Sequence, residues 1–225
     1  MKALDSRGLA WIGVVVAVLT GAIAYAFRPE LAGSPTMWMA IGAPYLLLTG
    51  LGLVQLARRQ RLTTLLGYRR GDPSIGILVG LVLLAAAWLF ARQWLPAGAS
   101  ARAWLFSVFL LAGDPAWVPG GLLLFAIAIC EEVVWRGWLQ LELRDLLGPR
   151  RGWIACALLY AAVHTPTLFT LQDATAGKNP LLLIAALGGG LCWSFLVERT
   201  ERLLPGLIAH GVFTYFATHS LWMLV

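Results

Sequence analysis

Seven apolar runs of 18 to 25 residues follow one another along the chain, at about Leu9 to Phe27, Pro35 to Ala57, Ser74 to Ala91, Pro119 to Leu143, Gly152 to Leu171, Pro180 to Val197 and Leu203 to Val225. Each approaches or exceeds the roughly 20 residues that a helix needs to cross a bilayer. In hydrocarbon every backbone N–H and C=O has to be satisfied within its own segment, so serial runs of this length predict helices. Composition points the same way: 12% of the 225 residues are charged and 60% are hydrophobic, about half the charge of a soluble domain. The expected fold is an all-α, polytopic transmembrane helical bundle forming a single membrane domain over residues 1–225. Seven spans are expected, with eight as the alternative if the short run Ala103 to Ala112 also crosses. The first run, 19 residues long, exceeds the apolar region of a signal peptide and reads as a span.

The excess of 17 Lys and Arg over 11 Asp and Glu suggests nucleic acid in a soluble protein, but cytoplasmic loops of membrane proteins are enriched in both cations. With seven spans and a cytoplasmic N-terminus, twelve cations fall inside and four outside, with Arg136 left within a span. Eight spans divide them evenly, so the charge rule favours seven. This topology predicts an integral protein of a bacterial-type cell membrane, with the lipid bilayer as a partner and without nucleic acid. Residues 1–118 supply N-terminal spans and a basic interfacial segment, Arg58 to Pro73. Cys130, Cys156 and Cys192 lie in apolar stretches with no metal-type spacing, which argues against a disulfide framework.

The stretch Phe125 to Leu139, FAIAICEEVVWRGWL, places Glu131, Glu132 and Arg136 in an otherwise apolar helix. Each charge at mid-helix costs about 2.5–3.5 kcal/mol, while an Ile or Val returns only about 0.3–0.6. Such groups face a polar cavity or a partner. Glu132 and Arg136 are four apart with the acid first, the favourable order for an intrahelical ion pair, and Glu131 is rotated about 100° from Glu132. One carboxylate can therefore be neutralised while the other stays available as a general base for water. A purely structural charge network is the competing explanation.

His164 follows Tyr160 by one helical turn and is itself followed by Pro166, which disturbs a helix. His210 precedes Thr214 by one turn. His219, near the chain end, reads as an ordinary residue. No H-E-x-x-H, G-x-S-x-G, G-x-G-D or phosphate-binding loop is present, and Gly188, Gly189 and Gly190 inside a span read as a helix-packing surface.

Taken in order, these residues resemble the CPBP family of CAAX-protease and bacteriocin-processing membrane proteins, also called Abi or type II CAAX endopeptidase-like. Glu131, Glu132 and Arg136 match its E-E-x-x-x-R motif, Tyr160 to His164 approximate F-x-x-x-H, and His210 to Thr214 approximate H-x-x-x-N. The approach ERTERLLPGLIAH, Glu198 to His210, is also similar. The resemblance implies a glutamate-dependent intramembrane endopeptidase with a catalytic core at residues 119–217. Glu131 and His164 would activate water, His210 and Thr214 would hold the oxyanion, and Glu132, Arg136 and Tyr160 would support the site. No cofactor or metal is implied. Tyr160 stands where the family has Phe, and Thr214 where it has Asn. Family members trim prenylated C-termini, process peptide precursors or cleave C-terminal signals, and the sequence does not choose among these substrates.

Other chemistries are compatible with the same residue types. Glu131, His164 and His210 are suitable zinc ligands in kind. Cys130 beside Glu131 offers a thiol, though no cation is placed to activate it. Intramembrane carboxylates and histidines also serve proton-coupled transporters, and a non-catalytic scaffold could retain the fold. Transporters commonly show inverted repeats, whereas the unusual polar residues here all follow residue 130.

Overall fold

The computed structural model describes residues 6–112 and 118–219, and among them every extended element is helical. In order these are α1 (Ser6–Ala26), α2 (Pro35–Arg58), α3 (Leu62–Leu65), α4 (Asp72–Trp94), α5 (Ala103–Ala112) and α6 (Val118–Glu132). Helix α6 passes through a π-helical segment, Val133–Leu139, into α7 (Gln140–Leu147); then come α8 (Pro149–Val163), α9 (Thr167–Thr170), α10 (Leu181–Thr200) and α11 (Leu204–His219).

Local chemistry sets several of these boundaries. The Ser34 hydroxyl accepts the Met37 N–H at 3.2 Å, and Pro35 occupies the first helical position, where its missing N–H costs nothing. Gly148 turns the chain between α7 and α8 with φ at +84°, a conformation only glycine adopts readily. Pro166 breaks the fifth expected run as anticipated. Helix α8 ends at Val163, and the Thr167 hydroxyl donates to the His164 carbonyl at 2.7 Å.

Among the described residues, five helical stretches are long and apolar enough to cross a bilayer: Gly8–Ala26, Pro35–Arg58, Asp72–Trp94, Pro149–Thr170 and Leu181–Thr200. Seven were expected. Along the Pro119 to Leu143 run, the 15-residue helix Val118–Glu132 ends at Glu132, where the backbone changes to π geometry and the charges interrupt the apolar sequence. The last run is helical over 16 described residues, Leu204–His219. Residues 220–225, including Trp222, and the connection at residues 113–117, including Trp117, lie outside the described residues. Helix α5 is ten residues long. Leu46, Leu47, Leu78, Leu110 and Leu122 are all more than half exposed on the bundle surface, which suits contact with lipid.

Helix α4 packs along α11 through Gly76 and Gly80; a Cβ at these positions would come within 2.7 Å of Ile208 and 2.9 Å of Val212. Small residues four apart bring backbones close where no hydrophobic effect drives helices together. Ionic contacts tie together the helix ends beside this seam. Arg202 grips the buried Asp72 carboxylate at 2.7 Å, which holds its guanidinium above the ordinary range. Arg59 bonds Glu142 at 2.7 Å and Asp145 at 2.9 Å, and the Leu203 N–H reaches the Leu65 carbonyl at 2.8 Å. The Arg58 to Pro73 segment is thus anchored to the bundle through α3, whose Leu65 is buried.

Candidate active site

Helices α6, α8, α10 and α11 converge on one cavity of about 160 Å³. Glu131 from α6, Tyr160 and His164 from the end of α8, and His210 and Thr214 from α11 all line it. Most of the remaining wall is apolar, including Met37 and Trp38 of α2, Leu124 of α6 and Phe213 of α11. Residues separated by more than 80 positions in sequence therefore meet in one apolar chamber.

The two glutamates separate as helical geometry predicts. Glu132 and Arg136, both fully buried, pair at 3.0 Å. The guanidinium also donates from Nε to the Ser194 hydroxyl at 3.2 Å and from Nη2 to the Gly190 carbonyl at 3.3 Å. It lies over the Tyr160 ring at 4.3 Å and near the Trp193 ring at 5.4 Å. Five named partners thus compensate a charge that would otherwise be prohibitive in a low-dielectric interior. Glu131 is directed elsewhere, accepting a hydrogen bond from the Tyr160 hydroxyl at Oε2 over 2.6 Å.

The π segment contributes to this arrangement. Its i→i+5 bonding, closed by the Gln140 N–H on the Trp135 carbonyl, contains Trp135, Arg136 and Trp138. Such segments are rare and are frequently found at functional sites. The Cys156 thiol also donates to the Trp135 carbonyl at 3.2 Å, and the Trp135 indole N–H donates to the Tyr45 hydroxyl at 3.3 Å.

Each histidine is oriented through Nδ1. In His164 this nitrogen lies 2.8 Å from the Tyr160 carbonyl, an acceptor only, so Nδ1 carries a proton and Nε2 is the acceptor of the neutral ring. In His210, Nδ1 lies 2.9 Å from Glu132 Oε1 while Nε2 faces Glu131 Oε2 at 3.7 Å. The His210 ring stacks on Trp193 at 3.7 Å and 18°. Thr214 lies one turn further along α11 on the cavity wall. Among the described residues, no three His, Cys, Asp or Glu side chains are grouped to hold a metal ion.

Several participants have weak sequence signals. Tyr45 and Thr49 of α2 lie in an apolar run, yet Thr49 donates to the Cys130 carbonyl at 3.3 Å and Tyr45 is fully buried beside Trp135. Ser194, a lone hydroxyl in a span, offered the clearest hint, because buried polar groups need partners. The glycine triad divides: a Cβ on Gly190 would meet Tyr160 at 3.1 Å, whereas one on Gly188 would meet nothing.

The cavity thus brings together a part-buried carboxylate, two oriented imidazoles and apolar walls among helices of membrane character. Residues 113–216 match the family model described as Rce1-like, type II CAAX prenyl endopeptidase Rce1-like, in agreement with the CAAX-protease family that the sequence motifs resemble. No curated protein and no solved structure matches the chain. The family match supports protease activity, and with five apolar helices it supports an integral membrane protein acting on a membrane-associated peptide.

Proposed function

We propose that the protein is a glutamate-dependent intramembrane endopeptidase that hydrolyses a peptide bond near the C-terminus of a membrane-associated protein or peptide. The observation carrying this reading is the division of labour between adjacent acids: Arg136 is committed to Glu132, which leaves Glu131 facing the cavity shared with His164, His210 and Thr214.

Water between Glu131 and His164 Nε2 has two acceptors for its protons. Glu131 takes a proton as the water oxygen attacks the peptide carbonyl, and returns it to the departing amine as the C–N bond breaks. Negative charge develops on the former carbonyl oxygen. His210 answers it from Nε2, with its Nδ1 proton directed to Glu132. The Thr214 hydroxyl adds a second donor. In a water-poor chamber, one such preorganised donor is worth about 3–4 kcal/mol in the transition state. Residues 119–217 form the catalytic core of a single membrane domain. The end bearing Arg59, Arg144 and Arg202 faces the cytoplasm, in keeping with the cation distribution.

The test uses full-length protein in detergent and a fluorogenic peptide ending in a farnesylated CAAX sequence. Glu131→Gln keeps shape and polarity but removes the base, and turnover should fall by at least about a hundredfold. Wild-type turnover in this variant overturns the assignment. A zinc chelator should leave the rate unchanged, and inhibition reversed by zinc would transfer the reaction to a metal hydrolase. Proteomics of membrane-protein termini in cells carrying Glu131→Gln should then show which precursors accumulate.

A further inference from the structure

One phenol holds Glu131 directly, and a second, from the part of the chain that precedes the recognised motifs, is bonded to the Trp135 indole beside the first. Tyr160 donates to Glu131 Oε2 at 2.6 Å, a short bond of the kind expected from a hydroxyl to an ionised oxygen. Its own ring is fixed by Arg136 above it at 4.3 Å, by Trp135 edge-on at 5.4 Å and by His164 at 4.9 Å. Tyr45, from α2, is completely buried and accepts the Trp135 indole proton. That bond uses a lone pair on the Tyr45 oxygen and leaves its proton needing an acceptor. Trp135, to which it is bonded, packs edge-on against Tyr160 at 5.4 Å, so this hydroxyl belongs to the cluster that carries Glu131.

Resting on the function proposed above, we infer that Tyr160 and Tyr45 are positioning residues that hold the Glu131 carboxylate in its water-activating orientation. An unrestrained glutamate has three rotatable side-chain bonds, and misplacing a reacting group by an ångström is costly. Tyr160 fixes one oxygen directly. Tyr45, itself braced by Trp135, closes the side facing α2 and makes that helix part of the site. A phenylalanine at either position preserves the ring and its packing but has no proton to donate. The role therefore belongs to the hydroxyls and can be separated from packing.

Purified full-length protein carrying Tyr160→Phe, Tyr45→Phe or both is compared with Glu131→Gln on the farnesylated CAAX peptide. Loss of a hydrogen bond to a charged group predicts that Tyr160→Phe lowers kcat about ten- to a hundredfold, with KM within about twofold. Tyr45→Phe should lower it about three- to tenfold. Neither should reduce the residual rate further in the Glu131→Gln background, because residues acting as a unit are non-additive. Infrared difference spectra provide a readout independent of turnover: the carboxylate stretch lost in Glu131→Gln should shift in Tyr160→Phe and in Tyr45→Phe. An inactive Glu131→Gln with wild-type kcat in Tyr160→Phe, or an unmoved carboxylate band, overturns this inference and leaves the proposed function intact. Undiminished turnover in Glu131→Gln removes the function itself.

Discussion

His210 Nδ1 lies 2.9 Å from Glu132 Oε1, the same oxygen that Arg136 Nη1 approaches at 3.0 Å. One carboxylate oxygen therefore couples the buried guanidinium to an imidazole on the cavity wall. The sequence places Glu132 and Arg136 together as a brace but gives no indication that the brace reaches His210, 78 positions later. Arg136 acts on His210 through Glu132 without touching the cavity.

Arg136→Ala should consequently weaken the whole assembly. Removing one member of a buried ion pair costs roughly 3–5 kcal/mol because its partner is left unpaired, so thermal unfolding in detergent should fall sharply. Arg136→Lys keeps the charge but lacks the planar fork that serves Glu132, Ser194 and Gly190 together. It should fold with intermediate stability. Normal stability with lost cleavage in Arg136→Ala would instead make Arg136 a substrate-binding residue.

The Asp72 and Arg202 pair gives a prediction away from the cavity. Asp72 is 1% exposed and receives Arg202 through both guanidinium nitrogens that face it, plus the Arg69 N–H at 2.9 Å. Arg202→Ala strands that carboxylate and should destabilise the protein by several kcal/mol. Asp72→Asn in the same chain removes the stranded charge and should recover part of the loss, giving a non-additive double-mutant cycle of unfolding midpoints. Strict additivity would mean that the pair contributes no coupling.

The glycine triad in α10 separates packing from propensity. Gly190→Ala directs a methyl group to 3.1 Å from Tyr160 Cδ1 and 3.4 Å from Arg136 Nη2. Overpacking of this kind costs about 1–3 kcal/mol. Gly188→Ala meets no atom within 4 Å and should be neutral or stabilise by up to about 1 kcal/mol through helix propensity. Paired melting curves should therefore move in opposite directions, or only the Gly190 curve should move. Equal shifts would refute the distinction.

How much of this was legible depends on what each feature costs. A charge in a membrane helix is expensive enough to stand out, so Glu131, Glu132 and Arg136 were visible, and a four-residue spacing sufficed to pair two of them. Tyr45 was not, because a tyrosine in an apolar run is ordinary and its contacts arise only when α2 packs beside the Trp135 turn. The π segment has no periodicity of its own. Asp72 and Arg202, 130 positions apart, looked like unrelated loop charges. The span count followed hydropathy and the cation distribution, and neither registers that the Pro119 to Leu143 run changes its α-helical geometry at Glu132.

Thr214 tests the position where this chain departs from the H-x-x-x-N pattern. It lines the cavity one turn beyond His210, and its carbonyl accepts the Thr218 hydroxyl at 2.9 Å. If the Thr214 hydroxyl is an oxyanion donor, Thr214→Val keeps the shape, removes the donor and should lower kcat by about a hundredfold. Thr214→Asn should retain or raise activity, since an amide also donates and reaches further. His210→Ala should be severe in either background. The structure also offers a second candidate donor, because the buried Trp193 indole N–H has no hydrogen-bond partner among the described residues and its ring stacks on His210. Trp193→Phe retains an aromatic ring for stacking but deletes that N–H. Normal cleavage by Thr214→Val together with a hundredfold loss in Trp193→Phe would move the second oxyanion donor from α11 to α10 and leave Thr214 as a packing residue.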